Sequence, residues 1–261
     1  MATYSGIVDL KGTIGNLSFY KRKGVNCVRR PGGFTKEKLQ KDPRLRRVRE
    51  HNAEFGTQST ASKSLRVALA PLREFWDGTF PSRLLKIGSR VTKLATGVHG
   101  QRPLAFSRFK PILENLQLNK TRTLESVLAL AIKSSPSTTR NSSKLQLDID
   151  IPNAVIPPDG STHFRLVHAL GVISDIEYEP AIEGFIPVAY QVDRMGAQSY
   201  SDYISLAQDN ASITLETKLE VEQMPENATV VEVVGIEFYQ AIASVYEPFT
   251  QGKAAMVTAA F

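Results

Sequence analysis

Residues 145–151 read Leu145-Gln146-Leu147-Asp148-Ile149-Asp150-Ile151, four apolar side chains alternating with three polar ones. A period of two places the apolar set on one face of a strand and the two carboxylates on the other. Just upstream, Lys133–Lys144 (KSSPSTTRNSSK) is rich in Ser and Thr, has no apolar residue, and reads as a linker. Downstream the strand character persists. Phe164 to Ile173 and Phe185 to Val192 are nearly continuous apolar runs, and Ile213, Leu215, Leu219 and Val221 alternate with an acidic set. Val230–Tyr239, Ile242–Tyr246 and Ala254–Phe261 complete the series. Six or seven strands separated by turns within 118 residues predict an antiparallel β-sandwich, Ig-like or jelly-roll-like.

Upstream of the linker the period lengthens. Asp42-Pro43 reads as an N-cap followed by proline at the first helical position, with Leu45, Val48 and Phe55 on one helical face. After Gly56 a second helix is expected from Ser59 to Trp76, kinked or split at Pro71. A third starts at Pro81, where Leu84, Ile87, Val91 and Leu94 form an apolar stripe and Arg83, Lys86, Arg90 and Lys93 a basic one beside it. Pro103 and Pro111 limit any helix between Gln101 and Gln117, and the apolar run Leu124–Ile132 fits strand or helix.

The first 34 residues read as a β-hairpin arm. Ile7, Val8 and Leu10 open it, Gly12 and Gly15 bracket a bend, and Leu17 and Phe19 alternate with polar neighbours. Lys21-Arg22-Lys23-Gly24 makes a four-residue turn, and Val25–Val28 returns. The expected organisation is α+β: the arm over 1–34, a basic helical region over 35–143 and an acidic antiparallel sandwich over 144–261.

Charge is distributed as unevenly as period. Residues 1–143 carry 27 Lys and Arg against 9 Asp and Glu, a net of +18; residues 144–261 carry 5 against 17, a net of −12. The densest stretch is Tyr20–Arg49, with Lys21, Arg22, Lys23, Arg29, Arg30, Arg44, Arg46, Arg47 and Arg49 among its cations. Together with Arg83, Lys86, Arg90 and Lys93, these residues form the expected partner-binding surface. Its partner is an anion, either the acidic half of another copy or a phosphate backbone.

No residue set reads as catalytic, cofactor-binding or metal-binding. The single Cys27 excludes an internal disulfide and a cysteine-based zinc site. His163 and His168 are five apart on one predicted strand and point to opposite faces, while His51 and His99 lie elsewhere. Gly12-Thr13-Ile14-Gly15 lacks the Gly-Lys-Ser/Thr ending of a phosphate loop. Asp148 with Asp150, and Asp175 with Glu177 and Glu179, read as acidic solvated strand faces, with a cation or acid-pair site as the alternative. No run of about 18 apolar residues suits a membrane helix, and the N-terminus lacks a signal-peptide pattern, so synthesis in the cytoplasm is expected.

The opening Lys11-Gly12-Thr13-Ile14-Gly15-Asn16-Leu17-Ser18-Phe19-Tyr20-Lys21, followed by Val28-Arg29-Arg30, resembles a group of uncharacterised bacterial proteins with a K-G-x-I-G-x-L-x-F-Y-K start. Asp42-Pro43, Arg49-Glu50-His51-Asn52 and Glu54-Phe55-Gly56 look like the continuation in that group. The resemblance covers about the first 70 residues. It implies no activity and no site.

These readings predict a non-catalytic structural or assembly subunit, without cofactor, that associates head to tail with other copies into a virion-, tail- or fibre-like particle. The alternative is a protein that binds nucleic acid through phosphates, blind to sequence. A third reading, an enzyme or carbohydrate binder using acidic loops of the sandwich, rests on the carboxylate faces alone.

Overall fold

The computed structural model of the chain describes residues 2–4, 10–243, 245–249 and 251–261. Ile7 and Val8 of the expected first strand, and residue 244 within the expected strand 242–246, lie outside the described residues. The chain divides into two compact units, Met1–Arg49 and Glu50–Phe261.

In the first unit, β1 (Ala2–Thr3), β2 (Gly12–Ile14), β3 (Leu17–Arg22) and β4 (Val25–Arg29) form an antiparallel sheet in the order β1-β4-β3-β2. Arg22 pairs with Val25, so the expected four-residue turn is a two-residue loop, Lys23-Gly24. Both residues have positive φ (49° and 82°), the requirement of the tight hairpin turn whose twist matches its strands. Thr35 caps α1 (Lys36–Lys41) by accepting from the Lys38 N–H, and Asp42 accepts from the Arg44 N–H at the turn that Pro43 opens. Among the described residues of this unit only Cys27 and Leu45 are buried.

α2 spans Arg46–Ala68 and α3 spans Phe80–Leu94, joined by a 3₁₀ segment over Ala70–Phe75. The expected break at Gly56 does not occur. Gly56 is exposed, and its cost of about 1 kcal/mol is small against the burial of the helix around it. The buried face of α2 is Glu54, Thr57, Gln58, Ala61, Ser62, Ser64, Leu65 and Ala68, mostly small and polar, which hides the helical period from a count of apolar residues.

The strands that follow are β5 (Ser134–Pro136), β6 (Ser142–Asp150), β7 (His163–Ser174), β8 (Ile176–Glu179), β9 (Gly184–Pro187), β10 (Gly196–Tyr200), β11 (Ile204–Ser205), β12 (Asn210–Lys218), β13 (Ala228–Ile242), β14 (Val245–Pro248) and β15 (Ala254–Ala260). β7 pairs with β13 from His163↔Tyr239 to Ser174↔Ala228 and is the spine of the unit. β10 and β11 flank β7, β14 and β15 flank β13, and a second sheet runs β12-β6-β5. β8 and β9 form a separate hairpin.

The two faces of the β7–β13 spine explain its unbroken apolar run. Val167, Ala169, Ile173, Val231 and Val233 share a core with Ala61, Leu65, Leu72, Phe80, Leu84 and Val91 of the helical segments. On the opposite face Phe164, Leu166, Val234, Ile236 and Phe238 meet Leu145, Leu147, Ile149, Ile213 and Leu215 of the second sheet. The fold is therefore α+β, with helices, a main sheet and a smaller sheet in three layers. Helices after residue 50 and the sandwich share one core, so the expected division at 143/144 gives way to one at 49/50.

The expected linker 133–144 is part of the sandwich. Ser134–Pro136 pairs with β6, and Arg140, at φ 57°, donates to the carbonyls of Pro225 (3.3 Å), Phe261 (3.1 Å) and Ala228. Asn141 Nδ2 donates to Val221 O and Glu222 O at 2.8 and 3.0 Å. The expected strand Phe185–Val192 also ends early. Ala189 and Val192 are buried in a helical turn closed by Val192 N–H to Ala189 O at 3.2 Å.

Candidate interaction surfaces

The nine residues of the first unit expected on the basic surface fall in two exposed groups and one inward-facing arginine. Lys21, Arg22 and Lys23 lie at the hairpin tip, with Arg29 and Arg30 at the far end of the same hairpin, and all five are exposed. Arg29 also lies over the Tyr20 ring at 5.6 Å. Arg44, Arg46 and Arg47 are exposed at the entry to α2. Arg49 instead faces inward, where its Nη1 donates to Leu39 O (2.8 Å) and Asp42 O (2.9 Å) and closes the unit on itself. This unit carries 13 Lys and Arg against 3 Asp and Glu, a net of +10.

On α3, Lys86, Arg90 and Lys93 are exposed at spacings of four and three, one edge of the helix. Arg83 does not belong with them. It donates to Asp77 Oδ2 and Leu118 O, each at 3.0 Å, and to Gln117 O, and its guanidinium lies 5.5 Å from the Phe80 ring. Burial alone would raise the Asp77 carboxyl. The N–H groups of Lys120 and Thr79, the Thr79 hydroxyl and the Arg83 charge outweigh it and bring the group from 3.8 down to about 2.

Arg83→Ala should therefore cost about 2 kcal/mol in urea unfolding, since it removes a charged donor from a carboxylate and from two carbonyls. Lys86→Ala, Arg90→Ala and Lys93→Ala should each stay within about 0.5 kcal/mol. The folded-state value of Asp77 is depressed, so its contribution is present above pH 3.8 and is lost as pH falls toward about 2. Asp77→Asn should remove that component of the acid profile.

The acidic complement lies on the second sheet. Asp148 and Asp150 are exposed on its outer face, Ser212 Oγ donates to Asp148 Oδ1 at 2.5 Å, Glu216 is exposed on β12, Asp209 just before it, and Asp202 in the connection between β10 and β11. Asp175, expected in a ladder with Glu177 and Glu179, is instead buried and accepts from the Ser107 N–H (3.0 Å) and hydroxyl. Burial raises its carboxyl despite those bonds.

Beside this acidic face, Tyr200, Ser201, Asp202, Ile204 and Gln208 form one wall of an open groove of about 470 Å³, and Ala211–Leu215 form the other. Five successive residues of one strand point alternately up and down, so what all five present to a single groove is the strand's edge. β12 is the outermost strand of its sheet, and β10 that of the main sheet.

The four histidines do not converge. His51 and His99 are exposed, and His163 meets the Tyr246 ring edge-on at 5.0 Å. His168 is fully buried, its Nε2 2.6 Å from Glu232 Oε1 and its Nδ1 2.9 Å from Thr217 Oγ1. Ser143 and Ser134 also donate to Glu232. The residue types are those of a hydrolytic triad, but both imidazole nitrogens are engaged and both serines bond the carboxylate. The cluster is a polar core between the sheets. Its trace in the sequence is the lone Glu232 inside Val230-Val231-Glu232-Val233-Val234.

A second cluster leaves no signal in the sequence. Arg165 pairs with Glu237 at 2.7 Å and lies 4.2, 5.3 and 5.4 Å from the rings of Tyr200, Tyr203 and Tyr239. Tyr239 donates to the same carboxylate at 2.7 Å, and Tyr203 stacks on Tyr246 at 4.0 Å. These residues are scattered over four sequence segments, so only strand pairing gathers them.

Among the described residues, no helix is long and apolar enough to cross a membrane. Comparison with protein-family models, with curated proteins and with solved structures returns no match.

Proposed function

We propose that this chain is a non-catalytic structural subunit that associates head to tail with copies of itself, building a particle or filament of the virion, tail or fibre kind. The observation that carries this reading is the pairing of charge with architecture. A unit of net +10 buries only Cys27 and Leu45 among its described residues, and the second sheet turns Asp148, Asp150 and Glu216 outward. A small sheet with so little core of its own gains stability from a partner. Opposite charges on two different patches of one chain favour a heterologous contact, which propagates when the rotation does not close.

The test is association against ionic strength. Sedimentation velocity at about 10 mM salt should show concentration-dependent species larger than a monomer, shifting to monomer near 1 M, where screening reaches about 3 Å. Reversing Lys21, Arg22 and Lys23 to Glu should weaken association by roughly 10- to 100-fold. Adding Asp148→Lys and Asp150→Lys in a second copy should restore part of it. A monomer at low salt and high concentration overturns the reading. Tight, salt-sensitive binding to DNA or RNA without self-association transfers the basic surface to phosphates.

A further inference from the structure

We propose that the groove between β10 and β12 is an acceptor slot for a β-strand, and that its occupant is β2 of a second copy, with Leu10 and Lys11 preceding it. This rests on the self-association reading and names the contact through which it occurs.

Hydrogen-bond parity shows what the groove offers. Ile151 N–H donates to Asp209 O at 2.9 Å and Leu219 N–H to Asn141 O at 2.8 Å, so the odd-numbered residues of β12 are those bonded to β6. The even-numbered ones, Ser212 and Thr214, turn their N–H and C=O groups into the groove. On the facing wall, Val172 N–H donates to Met195 O and Ser201 N–H to Leu166 O, which turns the backbone of Tyr200 outward by the same parity. Ser199 and Thr217 bond across the two strands and close the groove at one end. Among the described residues, the slot thus presents an unpaired edge over Ala211–Leu215, with Ile204, Ile213 and the exposed Asp202 among its lining residues.

The second copy offers the matching element. β2 is the outer strand of its sheet, paired among the described residues with β3 alone. Its sequence, Leu10-Lys11-Gly12-Thr13-Ile14, alternates apolar with polar, and Leu10 and Ile14 are exposed, Ile14 at 63%. Added as a strand beside β12, it turns Leu10 and Ile14 toward Ile204 and Ile213 and leaves Lys11 and Thr13 on the acidic outer face. Backbone pairing supplies the contact and alternate side chains supply the fit. The charge of the unit carrying β2, +10, opposes that of Asp202 in the groove and of Asp148 and Asp150 on the outer face of the sheet.

Two measurements on the full chain test this. Thr214→Pro removes one edge N–H where proline is tolerated, and should weaken the self-association of the folded protein about tenfold or more while its circular dichroism stays unchanged. Independently, with Cys27→Ala in both partners, a copy carrying Thr13→Cys should form a mixed disulfide on oxidation with a copy carrying Ser212→Cys or Thr214→Cys, identified by peptide mass. Cysteines introduced at Gln146 or Lys144, one strand away from the edge, should not cross-link. If wild type associates but Thr214→Pro associates equally and no mixed disulfide forms, the slot is overturned and the assembly reading stands. If wild type does not associate at all, both fall.

Discussion

Gly196→Ala should destabilise the protein by about 3 kcal/mol or more in urea unfolding, the largest single-methyl effect expected in the chain. Gly196 and Gly171 are register partners across β10 and β7. Together they leave a flat strip on the main sheet, and the end of α2 lies directly on it. A Cβ on Gly196 would fall inside the van der Waals radius of the Ala68 carbonyl oxygen, which is backbone and moves only if the helix lifts from the sheet. Gly171→Ala meets Leu69 Cδ2 at 2.9 Å, the far end of a side chain that can turn away, and Ala68 Cβ at 3.2 Å, a milder contact, and should cost about 1–2 kcal/mol. Gly78→Ala, with nothing within 4 Å, should be silent. Equal effects at the three positions would remove the account of how α2 is seated.

Glu232→Ala is the second large expectation, a loss of about 3–5 kcal/mol. Its carboxylate holds His168 Nε2 at 2.6 Å and the hydroxyls of Ser143 and Ser134, so truncation takes a partner from two buried groups, His168 and Ser143, and from the half-buried Ser134, between two apolar clusters. Burial alone would raise this carboxyl, but the bonds from His168, Ser134 and Ser143 and the attraction of His168 more than offset it, leaving the group below its ordinary 4.5. The sign follows: stability from Glu232 is present above pH 4.5 and is lost as pH falls through the depressed folded value. Glu232→Gln, uncharged but similar in volume, should therefore be less stable at neutral pH and show a flatter acid decline. A variant whose acid profile matches wild type would show that the cluster does not titrate in folding.

The same cluster explains where composition misleads. In Lys133–Lys144 the abundance of Ser and Thr suggests solvent, yet Ser134 and Ser143 point inward to Glu232, and Arg140 and Asn141 satisfy five carbonyls from 221, 222, 225, 228 and 261. A polar segment that answers buried acceptors is indistinguishable in composition from one that answers water. Arg83 and Arg49 leave the expected basic surface for a related reason: a cation bonded to backbone carbonyls has the same letter as a cation in solvent. α2 runs through Gly56 although its apolar pattern breaks there, because its buried face is built from Ala, Ser, Thr and Gln, side chains small enough to let neighbouring elements lie close.

By itself the sequence determined the local patterns. The alternation at 145–151, the long apolar runs at 164–173 and 230–239, a hairpin turn within Lys21–Gly24, the Asp42-Pro43 helix start and the charge split follow from backbone sterics, period and ionisation, which act over a few residues. Only the tertiary structure decided which apolar faces meet, and hence that the helices and the sandwich share one core. It also decided that the Ser-rich stretch closes that core, and that β12 is left with an open edge beside acids. Those outcomes depend on register and layer stacking between residues far apart in the chain, such as Ser64 and Asp193 at 129 positions, and no local pattern encodes them.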